Sequence, residues 1–420
     1  MLKNVFFFGI ALLSLQGTIY FLQILAAAQM STSDYSQVRI VESLVAVIAL
    51  ISTIGIPSIA LVKIANSKSS NTSKLLIRNC LTVVGICIFV VSLVFSYAIH
   101  IGLFKQRIDV PLPVILTLST LVSFRLLFVN TTQAFQQFGY LATISLISCF
   151  VSIVFFEITR YLKWSPVISW IWARILLETI ICIGLLAIKF NFKKLLIDFK
   201  FKNYSVTYTT ETPKMLFFAA LPIGVSLILR SIIEHGPILW LASVNAPISV
   251  IAEVGFILTI GTIVLMPSGV IQGVLLPRLS IAISTNKYDK KALTRLLSLF
   301  STLVVSTTMI FTLTAFLTLR FLPFGKFITS AIIFGGGVIV ASKLIASSMG
   351  GYLLAADRKT HILSINSITF LLSIIAAVIY QSQYSNSLRT THILWIIGLL
   401  EMCGAMCYLY SVFYIKILGK

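Results

Sequence analysis

Apolar residues occur along this chain in long blocks, separated by short polar stretches. The blocks are close to the roughly 20 residues that an α-helix needs to cross a bilayer. A transmembrane β-barrel would instead show alternating segments of about 10 residues, and the chain has none. We place twelve spans, at 5–29, 40–65, 79–102, 111–136, 141–160, 166–188, 215–239, 247–272, 296–319, 327–350, 361–382 and 392–415. The pattern predicts an all-α polytopic membrane protein with about twelve transmembrane helices.

Composition agrees with this pattern. Of the 420 residues, 58% are hydrophobic and 10% are charged, whereas a soluble globular protein carries about 25% charged residues. The surface is therefore suited to contact with lipid.

The net charge of +20 is distributed as a topology signal. With a cytoplasmic N-terminus, twenty Lys and Arg residues fall on the inner side. The outer side has eight: Arg39, Lys105, Arg107, Arg160, Lys163, Arg320, Lys326 and Arg389. Four lie within spans: Arg125, Arg174, Arg230 and Lys343. This bias satisfies the positive-inside rule and predicts that both termini are cytoplasmic. It also argues against a nucleic-acid partner.

A basic stretch divides the chain into halves of six spans. We predict an N-terminal bundle at 1–188, a basic cytoplasmic linker at 189–214 and a C-terminal bundle at 215–420. Phe7 and Phe217 open the two halves 210 residues apart, and the same offset relates Ile56–Ser58 to Met266–Ser268. Copies of six spans have the same orientation in the membrane. The repeat predicts two equivalent bundles around a central cleft, as in transporters. The linker pattern favours a short helix on the membrane surface, and a docking site for a partner is the alternative.

Four prolines lie within or at the ends of spans: Pro57, Pro222, Pro267 and Pro277. Proline in a membrane helix removes a backbone hydrogen bond and kinks the helix. These residues are hinge candidates for alternating access, and simple packing and bending is the alternative.

Charged side chains inside the spans need an explanation, because each costs roughly 2.5–3.5 kcal/mol at the bilayer centre on insertion scales. The pairs Arg174/Glu178 and Arg230/Glu234 are each spaced i,i+4, so each pair shares a helix face. One interpretation is self-neutralisation within the helix. The other is a polar cleft in which arginine binds an anion through its bidentate guanidinium.

Motifs of soluble enzymes are absent. The chain has no P-loop, no Gly-x-Ser-x-Gly and no His-Glu-x-x-His. The six cysteines lie in apolar spans with no histidine at metal-ligand spacing. We therefore predict no enzyme activity, no catalytic residues, no metal site and no cofactor.

Four short stretches carry a resemblance to a known family. They are IGIPSIALVKIA at 54–65, FFAALPIG at 217–224, VIQGVLLPRLS at 270–280 and AADRKTH at 355–361. With twelve spans and a basic central linker, the chain resembles the multidrug/oligosaccharidyl-lipid/polysaccharide exporter superfamily. It is most similar to the polysaccharide-biosynthesis branch, the O-antigen (lipid-linked oligosaccharide) flippases.

The resemblance implies a multi-pass protein of the bacterial inner membrane. Its substrate would be an oligosaccharide linked by pyrophosphate to undecaprenol, moved from the cytoplasmic to the periplasmic leaflet for O-antigen or similar surface polysaccharide. Other polysaccharide-assembly proteins are candidate partners. The substrate-contact candidates are Arg174, Arg230, Arg125 and Lys343. The candidate charge partners or proton carriers are Glu178, Glu234, Glu253 and Glu401.

Two other functions stay open. A multidrug cation/proton antiporter of the same fold would need a buried carboxylate in the N-terminal bundle, where helices one and two offer only Glu42. A membrane-embedded polysaccharide polymerase or acyltransferase would need a large outer loop or clustered His, Asp and Arg, and the chain shows neither.

Overall fold

The computed structural model describes residues 2–65, 70–100, 109–135, 137–189, 212–263, 330–355, 358–384 and 389–418, together with the isolated positions 265, 306, 309, 310 and 313. All regular structure in this part of the chain is helical. The helices are α1 (Leu2–Gln29), α2 (Thr32–Thr53), α3 (Ile56–Ala65), α4 (Ser70–His100), α5 (Leu112–Ala134), α6 (Phe138–Tyr161), α7 (Pro166–Lys189), α8 (Pro213–Ser243), α9 (Ile248–Ile263), α10 (Ser330–Ala355), α11 (Lys359–Tyr384) and α12 (Thr390–Leu418).

Ten of the described helices are long and apolar enough to cross a membrane, and α9 is a shorter apolar helix. This confirms the predicted all-α, multi-pass membrane class. The linker residues 190–211, Pro267 and Pro277 lie outside the described residues, and so does the ninth predicted span at 296–319 apart from positions 306, 309, 310 and 313.

The second predicted span differs from the structure in two ways. Its helix begins at Thr32, eight residues before the predicted start, because Ser31 caps it: the Asp34 backbone N–H donates to Ser31 Oγ at 3.1 Å. The helix is also broken at Ile54 and Gly55, whose φ angles are 43° and 77°. The span is therefore two helices, α2 and α3, joined by a left-handed turn.

The break between α2 and α3 packs closely against α8. A Cβ atom on Gly55 would lie 2.7 Å from the backbone nitrogen of Gly224, and a Cβ atom on Gly224 would overlap the carbonyl oxygen of Ile54. Glycine is therefore required at both positions. The predicted hinge residues Pro57 and Pro222 each lie two residues from one of these glycines. Two of the four candidate prolines thus flank one contact, and their role as hinges stays a prediction.

The described chain forms two compact units. The first contains Met1–Thr18 and Val41–Ser231, and the second contains Ile19–Ile40 and Ile232–Lys420. A core of the first unit packs α3 and α4 together with α5 and α8 around buried Ile56, Ile77 and Val84. A core of the second packs α10 and α11 against α12 around Leu353 and Tyr408. Helices α1, α2 and α8 each contribute to both units.

Candidate functional site

Four ionisable side chains from three helices of the first unit meet in a cluster that we call the charge quartet: Glu42, Arg125, Arg174 and Glu178. The Nη1 atom of Arg174 lies 2.6 Å from Oε1 of Glu178, and its Nη2 atom lies 3.2 Å from Oε1 of Glu42. The Nε atom of Arg125 lies 2.6 Å from Oε2 of Glu178. The Arg174 and Glu178 side chains are 1% and 0% exposed. The quartet is thus a chain of ion pairs inside the apolar helices.

The quartet carries no net formal charge, since two arginines face two glutamates. Arg174 and Glu178 are one turn apart on α7, as predicted from their spacing, while Glu42 and Arg125 come from α2 and α5. A buried ion needs both a counter-ion and hydrogen bonds to offset its desolvation. The quartet supplies the counter-ions, since each guanidinium contacts a carboxylate in this conformation. Its hydrogen bonding is incomplete, because the Nε atoms of both arginines and the Oε2 atoms of both glutamates are buried without a hydrogen-bond partner among the described residues. Binding of substrate by Arg125 and Arg174 stays a prediction.

A second buried guanidinium belongs to Arg39 on α2, in the second unit. Its Nη1 atom donates to Oε1 of Gln23 at 2.5 Å, and the Thr259 hydroxyl donates to the same oxygen at 3.0 Å. The ring of Tyr35 packs edge-on against Phe256, with centroids 6.4 Å apart. We call Gln23, Arg39 and Thr259, which these hydrogen bonds join, the Arg39 network. Arg39 is only 4% exposed and lies within the candidate span Thr32–Thr53, so the prediction that it lies outside the spans is wrong.

The Arg39 network differs from the quartet in having no acidic member. Among the described residues no carboxylate forms an ion pair with Arg39, and neither its Nε atom nor the Gln23 amide nitrogen has a hydrogen-bond partner. The Arg39 side chain crosses α9 at Gly255, where an added Cβ atom would lie 2.7 Å from Arg39 Cγ. Within the part of the chain that the structure describes, the network therefore holds one buried positive charge whose acceptor is a neutral amide oxygen.

The remaining candidates in the second unit are placed separately. The Nζ atom of Lys343 lies 3.6 Å from Oε1 of Glu234, so Glu234 on α8 forms an ion pair with Lys343 on α10. Glu253 on α9 is 5% exposed and accepts a short hydrogen bond from the buried Thr390 hydroxyl. Glu401 on α12 is 1% exposed.

Arg230 belongs to the first unit, on α8, and is half-buried. Within the part of the chain described, no group of His, Cys, Asp and Glu is placed to hold a metal ion.

The predicted site set lacked Arg39, Gln23 and Thr259. A signal for Arg39 was present in the sequence, since Ser31 and Asp34 form a helix-capping pattern eight residues before it. Starting α2 at this cap would have put Arg39 two turns inside the helix. Nothing in the sequence pointed to Gln23 or Thr259, which are 236 residues apart.

No family model matches this chain, and no curated protein matches it in sequence. Solved structures do match over nearly the whole length. One is the inward-facing conformation of a multidrug resistance MATE family transporter of the MOP superfamily, at a TM-score of 0.68, 13% identity, and 98% and 99% coverage of this chain and that one. Another is MATE in complex with MaL6, at a TM-score of 0.65, 13% identity, and 99% and 97% coverage.

A third similar structure is a MOP superfamily transporter from Pyrococcus furiosus, described as having a binding pocket of reverse polarity. It matches with a TM-score of 0.59 at 12% identity, over 100% of this chain and 96% of that one. At such identities the likeness defines the fold alone. This confirms the predicted fold class of two six-helix bundles: the chain has the fold of the MATE transporters of the MOP superfamily.

Proposed function

We propose that this chain is a membrane transporter that flips an anionic, lipid-linked oligosaccharide between leaflets by alternating access. The substrate class is an oligosaccharide joined by pyrophosphate to a polyprenol such as undecaprenol, and the site of action is the bacterial inner membrane. A charged sugar headgroup cannot cross hydrocarbon unaided, whereas its polyprenyl tail can remain in lipid. The transporter fold and the distribution of buried charge support this proposal.

The observation that carries the proposal is the buried, positively charged Arg39 network. A guanidinium binds phosphate through two parallel N–H···O contacts, and such contacts are strong when they are shielded from water. Arg39 has neutral acceptors in place of a carboxylate among the described residues, so an anion would complete its coordination. By contrast, the arginines of the charge quartet already contact acidic side chains.

The charge quartet also bears on the competing function. A transporter of cationic drugs needs a buried carboxylate that is available to a cation or a proton. Glu42 and Glu178 instead contact arginines. The quartet therefore offers a cationic drug no carboxylate that is free of an arginine in this conformation.

Glu253 supports the second candidate, a multidrug cation/proton antiporter. Its carboxylate is buried, and the contact described for it is the Thr390 hydroxyl. Such a group can take up and release a proton during turnover, which suits either an antiporter or a proton-coupled flippase. Among the predicted proton carriers, Glu253 is therefore better placed than Glu178.

Complementation tests the proposal directly. The chain is expressed with its cognate sugar-assembly enzymes in a host that lacks its own O-antigen flippase, and surface polysaccharide is scored. We expect wild type to restore the polymer, Arg39→Gln to abolish it and Arg39→Lys to retain a fraction. Arg78→Gln is the matched control, because Arg78 is exposed on α4.

Membrane levels of every variant are measured by immunoblotting, so that loss of polymer is separated from loss of protein. Surface polymer at wild-type level in Arg39→Gln would remove the basis of the anionic site. Failure of wild type to restore polymer, together with new resistance to cationic dyes that Glu253→Gln abolishes, would favour the antiporter.

A further inference from the structure

The second unit contains an apolar groove between α8, α11 and α12, with a volume of about 330 Å³. Its walls include Ile233 and Gly236 of α8, Ala377 of α11, and Ile393 and Ile397 of α12. Ligand sites in proteins begin at about 300 Å³, so the groove can hold a small ligand or part of a larger one. Most of its lining side chains are apolar, and the exceptions include Ser373, Tyr380 and Gln381. The apolar part suits a hydrocarbon.

The groove opens sideways along α11. Ile374 and Val378 line it and are also 45% and 61% exposed. They continue an exposed apolar stripe on α11 that includes Leu371 and Ile375. Because α11 is a candidate membrane span, this stripe faces lipid. The groove is therefore accessible to a lipid chain directly from the bilayer.

One end of the groove is polar and aromatic. Trp240 and Tyr380 line this end, with ring centroids 6.3 Å apart, and the Tyr380 hydroxyl lies 3.4 Å from Nδ1 of His392. The backbone N–H of Arg389 donates to the same hydroxyl at 3.4 Å, and the Arg389 side chain is exposed. Tyrosine and tryptophan are typical of the headgroup level of a membrane. An exposed arginine beside them suits a lipid phosphate.

The length of the groove matches that of one acyl chain. The lining residues on α11 extend from Phe370 to Gln381, which is about 16 Å at 1.5 Å per residue. One leaflet of a hydrocarbon core roughly 30 Å thick spans about 15 Å. The groove thus matches one acyl chain of a phospholipid, whereas a long polyprenyl chain would extend beyond it.

We propose that this groove binds an anionic phospholipid, with one acyl chain between α8, α11 and α12 and the phosphate beside Arg389. On the predicted topology the phosphate lies in the outer leaflet. This inference rests on the groove alone, so it stands or falls independently of the transported substrate.

Trp240 provides a local reporter. The full-length chain is reconstituted in phosphatidylcholine vesicles with increasing fractions of phosphatidylglycerol carrying a dibrominated acyl chain, which quenches tryptophan on contact. The Trp240 signal is the difference between wild type and Trp240→Phe. We expect quenching to rise more steeply than the lipid fraction and to be half-complete at a fraction of about one-third to one-sixth. This corresponds to about two- to fivefold preference over phosphatidylcholine, the size expected of an exposed charge contact.

Three variants test the site. Ala377→Phe fills the groove and should make quenching proportional to the lipid fraction, as for random contact. Leu371→Phe is the control on the exposed stripe of the same helix and should leave the saturation unchanged. Arg389→Gln should remove the preference for the anionic lipid.

Proportional quenching in wild type would overturn the proposal. Displacement of the brominated lipid by undecaprenyl phosphate at a lower fraction than by unbrominated phosphatidylglycerol would also overturn it, by assigning the groove to a polyprenyl chain. If Trp240→Phe assembles poorly, native mass spectrometry of wild type and Ala377→Phe replaces the quenching assay. Equal retention of phosphatidylglycerol by both proteins would then contradict the proposal.

Discussion

The charge quartet of the first unit and the Arg39 network of the second both bury a guanidinium among apolar helices, but they surround it differently. Arg174 contacts two carboxylates, and the charge quartet as a whole carries no net formal charge. Arg39 contacts the amide oxygen of Gln23, and the Thr259 hydroxyl donates to that oxygen. The two clusters therefore have the same central group and different net charge.

The difference in net charge predicts different roles for the two clusters, one in the stability of the fold and the other in transport. A neutral set of ion pairs can persist through the working cycle as a structural cross-link between helices. A buried charge with only neutral partners lowers stability unless something else benefits from it. We therefore expect substitutions in the quartet to act mainly on folding and substitutions at Arg39 to act mainly on transport.

The largest expected effect is that of Arg174→Gln. It leaves Glu178 with Arg125 alone and removes the cation nearest Glu42, so we expect a loss of about 3–5 kcal/mol in the free energy of unfolding. Denaturant-induced unfolding in detergent measures it. The charge-balanced double variant Arg125→Gln with Glu178→Gln should lose less than the sum of its two single variants. Additive losses would show that Arg125 and Glu178 are not energetically coupled, and would contradict their ion pair.

Gly255→Ala should have the next largest effect, because the new methyl group would displace the Arg39 side chain from its position beside Gln23. Overpacking of this kind costs about 1–3 kcal/mol. Gly85→Ala is the matched control in another span, since a Cβ atom there has no neighbour within 4 Å. Equal melting temperatures of the two variants would indicate that the Arg39 side chain moves freely.

Arg39→Gln is expected to keep the free energy of unfolding within about 1 kcal/mol of wild type, or to raise it, because a buried charge is removed together with its desolvation cost. The same substitution in the quartet, Arg174→Gln, is expected to lower the free energy of unfolding by the larger amount of about 3–5 kcal/mol. Unfolding of Arg39→Gln and Arg174→Gln under identical conditions gives this contrast in a single experiment. A large loss of stability in Arg39→Gln would show that Arg39 mainly stabilises the fold, as the quartet arginines are expected to do.

Thr259→Val should destabilise the protein by roughly 0.5–1.5 kcal/mol, since it removes the hydroxyl that lies 3.0 Å from Gln23 Oε1 and 2.9 Å from the Gly255 carbonyl oxygen and retains the shape of the side chain. We also expect a reduced transport rate, because Gln23 would then be less firmly oriented towards Arg39. Transport and melting temperature are measured on the same preparation. Thr262→Val, one turn further along α9, serves as the control.

Much of the membrane architecture was predictable from the sequence. Apolar blocks of span length identified the helices, and the i,i+4 spacing on α7 correctly paired Arg174 with Glu178. The start of α2 was placed wrongly because the polar residues before position 40 resemble a loop in hydropathy, although Ser31 caps a helix there. That single displacement put Arg39 outside the membrane and hid the second cluster.

The sequence by itself determined that this chain crosses a membrane many times and which charges share a helix turn. Only the tertiary structure decided that Glu42 and Arg125 join the α7 pair, that Gln23 and Thr259 accompany Arg39, and that α2 breaks at Gly55. The reason is physical. Helices in lipid are apolar on most sides, so the period of the sequence does not show which face contacts which neighbour. Close packing between helices determines which faces are in contact.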